Sequence, residues 1–129
     1  MSRRSLGSLC LPIALLLLPT LAAAHCQVPC GIYDDAARVA RMHEDAATIE
    51  KAMIKMQDLA GKADLQSANQ LNRWITVKEE HASNIQAIVA RYFLTQKVKP
   101  VAEDEEAYQK YLAKLADHHL VLVAAMKAK

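Results

Sequence analysis

Residues 34–61 read DDAARVARMHEDAATIEKAMIKMQDLAG, and within them Val39, Met42, Ala46, Ile49, Met53, Met56 and Ala60 recur at alternating steps of three and four. That spacing puts the apolar side chains on one side of an α-helix, which Asp34 or Asp35 can cap at its start and Gly61 can end. The same periodicity returns twice. After Asp64 or Ser67, a second stripe carries Leu71, Ile75, Ala82, Ile85, Val89 and Tyr92, with Lys78 interrupting it and Trp74 beside it, and it ends before Pro100. A third opens on Glu103-Asp104-Glu105-Glu106, acidic residues suited to the positive end of a helix, and carries Tyr108, Leu112, Leu115, His119, Leu122 and Met126. No stretch alternates like a strand. Three helical segments joined by short connections predict an all-α, up-and-down antiparallel bundle over residues 34–129.

Upstream, Arg3 and Arg4 precede an apolar stretch from Leu9 to Leu21 and then Ala22-Ala23-Ala24, the layout of a secretory signal peptide over residues 1–24. The apolar stretch contains Pro12 and Pro19 and is shorter than a spanning helix, so cleavage is expected rather than anchoring. The product is an exported protein, periplasmic or extracellular, with no membrane attachment and His25 as its first residue. Ser2-Arg3-Arg4 resembles a twin-arginine signal only faintly, since Leu6-Gly7 follows where a bulkier apolar pair is preferred. The precursor has 16 basic and 14 acidic side chains, and loss of Arg3 and Arg4 leaves 14 of each. A neutral chain lacks the basic surface that nucleic acid requires, and any steering of a charged substrate has to be local. A mature chain of 105 residues with alanine-rich stripes is also marginal alone, which favours oligomerisation.

Cys10 leaves with the leader, so two cysteines remain, Cys26 and Cys30. Once His25 is terminal, its amine and imidazole, the Cys26 backbone nitrogen and the two thiols crowd five metal-binding groups into six residues, 25–30. An amine, an amide nitrogen and two thiolates in one plane make a tetragonal set that suits nickel(II) or copper(II) rather than zinc, with the imidazole axial. Pro29 and Gly31 help the turn that closes both thiols on one ion. The plain alternative is a small disulfide or a loose tail; so small a ring stabilises a fold little through loop entropy.

The run His25-Cys26-x-x-Pro29-Cys30-Gly31-x-Tyr33 resembles the nickel hook of nickel-containing superoxide dismutases. The likeness continues more loosely through Asp34, Ala37-Arg38-Val39, Val77-Lys78-Glu79-Glu80 and Tyr92-Phe93. It implies an oxidoreductase with one nickel ion per subunit that converts superoxide to dioxygen and hydrogen peroxide by Ni(II)/Ni(III) cycling. His25, Cys26 and Cys30 would be the metal ligands. Tyr33 would screen the open face of the metal, and Tyr92 matches the second tyrosine placed near it. Hexamers of four-helix subunits are implied as well, whereas the stripes here read as three long helices, the second about 33 residues long.

Several neighbouring positions depart from that pattern. Gln27 stands where many relatives have aspartate. The glutamate and arginine that hold the axial imidazole in the family have no clean counterpart; the arginine position falls on His81 and the glutamate position near Ala40 or Arg41, leaving Glu44 and His81 as substitute candidates. Other constellations carry less. His43-Glu44 lacks the second histidine of a zinc-protease helix, because residue 47 is alanine. His118 and His119 diverge by about 100 degrees on a helix, and Met42, Met53 and Met56 lie on the apolar stripe. Two other functions stay open at this level. One is a non-catalytic nickel or copper carrier using the same hook, and the other is a helical interaction module with a Cys26–Cys30 disulfide.

Overall fold

The computed structural model describes residues 34–103 and 106–129. Helix α1 spans Asp35–Leu59, α2 spans Leu65–Ile88 and runs straight into a π-helical segment, Val89–Lys97, and α3 spans Tyr108–Lys127. No strand occurs among the described residues. None of their helices is long and apolar enough to cross a membrane. The hook at residues 25–33 and the leader lie outside the described residues.

Local chemistry sets the boundaries. Asp34 caps α1 by accepting a hydrogen bond from the Ala36 amide at 2.9 Å, and Asp64 caps α2 by accepting from the Ser67 amide at 2.9 Å and its hydroxyl at 2.6 Å. Gly61 follows the end of α1 at φ +80°, a left-handed backbone that glycine adopts without a Cβ penalty. The start of α3 differs from expectation. The described members of the acidic run, Glu103 and Glu106, are of a type that caps poorly, and the helix begins at Tyr108 behind Ala107 with no side-chain cap.

The pairs Asp35 with Tyr92 and Asp45 with His81 fix α1 antiparallel to the second segment. Gln86 with Leu122, and Lys78 with Ala128, do the same for α3 against α2. The topology is up, down, up. The core is thin: Ile49, Ala82, Ile85, Val89 and Ala125, with Met42, Leu94, Leu122 and Ala128 packed against it. Ala52 and Ala82 are wholly buried, which lets α1 and α2 approach closely. Burial of each larger aliphatic side chain contributes about 1.5–3 kcal/mol.

Within α1 and α3 the inward line is turned by one position from the predicted stripe. Helix α1 buries Asp45, Ile49 and Ala52, while Val39 is 40% and Met53 48% exposed. Helix α3 buries Ala125 and half-buries His118, while His119 is exposed and Met126 is 55% exposed. The physical reason is that each of these helices packs mainly on the second segment. No Cα of α1 comes within 8 Å of one in α3, so an open apolar groove lined by Val39, Met42, Ile49, Ile85, Val121 and Ala125 lies between them.

Lys78 interrupts the α2 stripe yet is buried, 7% exposed. Its Nζ donates to the Ala128 carbonyl at 2.8 Å and to the Lys129 carbonyl. A cation there answers the unsatisfied carbonyls and negative pole at the C-terminal end of α3.

Candidate metal centre

Of the residues singled out from sequence, His25, Cys26, Cys30 and Tyr33 lie outside the described residues, while Tyr92, Glu44 and His81 lie within them. Among the described residues there is no group of three or more His, Cys, Asp or Glu side chains able to hold a metal. The donor set expected from sequence at residues 25–30, an amine, an amide nitrogen and two thiolates, is one that would fit nickel.

The described residues begin at Asp34, the residue after Tyr33. One position further, Asp35 accepts a hydrogen bond from the Tyr92 hydroxyl and an ion-paired hydrogen bond from Lys97 Nζ at 2.9 Å. Lys97 Nζ also stands 5.7 Å from the centroid of the Tyr92 ring. Tyr92 is buried, 6% exposed, with its ring edge-on to Phe93 at 5.0 Å, and Phe93 in turn lies 5.7 Å from the His118 ring.

The π-helical register makes this grouping possible. In an α-helix, residues five apart point about 140 degrees away from each other, so Tyr92 and Lys97 would face different directions. Between Val89 and Lys97 the hydrogen bonds reach across five residues and stack such positions. The Val98 amide donates to the Phe93 carbonyl at 2.8 Å, Thr95 Oγ1 to Ala90 at 2.6 Å and Gln96 Nε2 to Arg91 at 3.0 Å. Tyr92 and Lys97 thus reach the same carboxylate.

The electrostatics follow from that contact. The Tyr92 hydroxyl, and next the Lys97 ammonium, hold Asp35 below the usual carboxylate range. Asp35 in turn pushes the Tyr92 phenol above its ordinary value, burial adding to the effect, and raises Lys97. The resulting state is a carboxylate, a neutral phenol and an ammonium.

A second cluster lies about 15 Å further along α1. Asp45, fully buried, faces His81 Nδ1 at 2.6 Å, and Arg41 Nε stands 3.7 Å from the same oxygen. Asp45 Oδ2 is buried and has no hydrogen-bond partner among the described residues. With Nδ1–H donating to the carboxylate, Nε2 is the nitrogen left for another partner. Glu44 is the outward neighbour: it is exposed and pairs with Arg41 at 3.5 Å, so the carboxylate that meets His81 is Asp45.

Sequence reasoning missed Asp35, Lys97 and Asp45. Asp35 was read only as a possible cap, and Lys97 stands five residues from Tyr92, a spacing no α-helical period links. Asp45 had a usable signal: it lies three residues after Met42 and four before Ile49, on the line that proves buried. His118 Nδ1 meets the Lys114 carbonyl at 2.6 Å and His119 is exposed, so the two point apart as expected.

Three helices and no strand among the described residues define an all-α helical-bundle protein. The sequence matches the family described as nickel-containing superoxide dismutase over residues 20–129, and the chain belongs to that family. It is an oxidoreductase that disproportionates superoxide with nickel as its cofactor. No curated protein and no solved structure matches the chain.

Proposed function

We propose that the enzyme acts after export, in the periplasm or outside the cell, with residues 1–24 removed and His25 through Tyr33 forming the site. His25 supplies its amine and imidazole, Cys26 its backbone nitrogen and thiolate, and Cys30 its thiolate. Nickel held there supplies the one-electron chemistry by which one superoxide becomes dioxygen and a second, with two protons, becomes hydrogen peroxide. The thiolates and the amide nitrogen donate strongly, which lowers the potential of the higher oxidation state. Tyr33 screens the open face and orders small molecules there, with Tyr92 as the second tyrosine beside it. The observation that carries this reading is the Tyr92 contact with Asp35, two residues from Tyr33, which ties the second tyrosine to the root of the hook.

The Asp45–His81 pair would take the place of the family's glutamate and arginine in supporting the His25 imidazole, with Asp45 holding His81 Nδ1 and His81 Nε2 the nitrogen that would meet that ring. The chain works as an oligomer, a hexamer by family resemblance. The apolar residues left open on α1 and α3, among them Val39, Val121 and Met126, support assembly, since a monomer would leave them in water. Packing between copies would also shelter thiolates from peroxide.

A nickel titration tests the reading. Metal-free mature chain is expected to gain superoxide turnover in proportion to added nickel until one ion is bound per chain, and zinc is expected to restore none. Turnover that ignores nickel contradicts the proposal.

A further inference from the structure

We propose that Asp35 and Lys97 are positioning residues of the dismutation, acting through Tyr92, and that the π-helical register of Val89–Lys97 is the device that assembles them. This rests on Tyr92 standing beside the hook, as proposed above. Three observations support it. Asp35 accepts from the Tyr92 hydroxyl and from Lys97 at once. Lys97 Nζ lies 5.7 Å from the Tyr92 ring centroid. Only hydrogen bonding across five residues brings positions 92 and 97 to one side.

The chemistry gives the grouping a purpose. Superoxide is an anion, and the mature chain carries no net charge to attract it. An ionised phenolate beside the site would repel the substrate, whereas a neutral phenol would not. Asp35 holds the phenol protonated by accepting its hydrogen bond, and Lys97 balances the carboxylate that does so. The hydroxyl is thereby held in one orientation without adding net charge. Charged groups that meet Tyr92 include Asp35 from α1 and Lys97 from its own segment; from α3, His118 packs on the adjacent Phe93.

The test is ultraviolet titration of tyrosine in the metal-free mature chain, with Tyr92→Phe identifying the Tyr92 phase. Tyr92 is expected to ionise later than an ordinary tyrosine. Asp35→Asn, which keeps an acceptor but removes the charge, should move that phase to lower pH. Lys97→Gln should move it to higher pH, since the ammonium favours the phenolate. A role limited to helix stability would not shift the phase in opposite directions. In the nickel-loaded enzyme, the alkaline limb of turnover should follow the Tyr92 phase downward in Asp35→Asn and upward in Lys97→Gln. Unmoved titration in both variants, or a limb that ignores a moved titration, overturns the proposal. A parent chain without nickel-dependent turnover instead overturns the dismutase reading, and the metal-free titration still reports on the network.

Discussion

One alanine placed ahead of His25 is expected to reduce superoxide turnover to the level of the metal-free chain. The extension turns the terminal amine into an amide, whose nitrogen is a poor donor near neutral pH, and moves the amine beyond reach of the plane set by Cys26 and Cys30. The imidazole also loses its place on the terminal residue. Among the described residues, α1 is capped by Asp34 and its packing begins beyond it. Thermal stability and helical circular dichroism of the metal-free chain should therefore be unchanged, so lost activity cannot be blamed on misfolding. Superoxide decay after nickel loading, compared with the chain beginning at His25, makes the measurement. Full activity in the extended chain would remove the amine from the mechanism.

The second large effect concerns stability. Lys78→Met keeps most of the apolar stem but removes the Nζ that serves the Ala128 and Lys129 carbonyls. Hydrogen bonds from charged groups contribute about 1.5–3 kcal/mol each, and water can replace part of that at the end of α3. A net loss of about 2 kcal/mol is expected, which for a domain of this size lowers Tm by roughly 8–15 °C. The better match of methionine to an apolar stripe works in the opposite direction. Thermal unfolding followed by circular dichroism decides between them: a variant as stable as the parent would show that the carbonyls are equally well served by water.

Lys78 also shows where sequence reading reached its limit. Hydrophobic periodicity revealed three helical segments and their antiparallel order. Capping chemistry narrowed the first two starts to Asp34 or Asp35 and to Asp64 or Ser67, while the third helix begins after the acidic run rather than on it. Period alone marks a broad apolar face, however, and α1 and α3 each use only part of it against the second segment. Whether Ala46 or Asp45, or His119 or His118, turns inward depends on crossing geometry that spacing does not encode. A lysine in the stripe looked like an interruption because its partners, the carbonyls beyond α3, lie 50 residues away. The change from α to π register was likewise invisible, and with it the grouping of Asp35, Tyr92 and Lys97.

The candidate site is a different case. The ligand set expected at residues 25–30, outside the described residues, is a matter of local chemistry, so residue type and spacing support it without a tertiary contact. The supports are not local: Asp45 reaches His81 across 36 residues and Asp35 reaches Tyr92 across 57. Glu44 was the natural guess for a substitute carboxylate, and only the helix pairing distinguishes it from the residue beside it.

Intact-mass and metal analysis of the natively purified protein tests the central claim most directly. The account predicts a chain beginning at His25, with one nickel ion retained and both Cys26 and Cys30 reduced. A chain two hydrogens lighter at those cysteines, without metal, would contradict it.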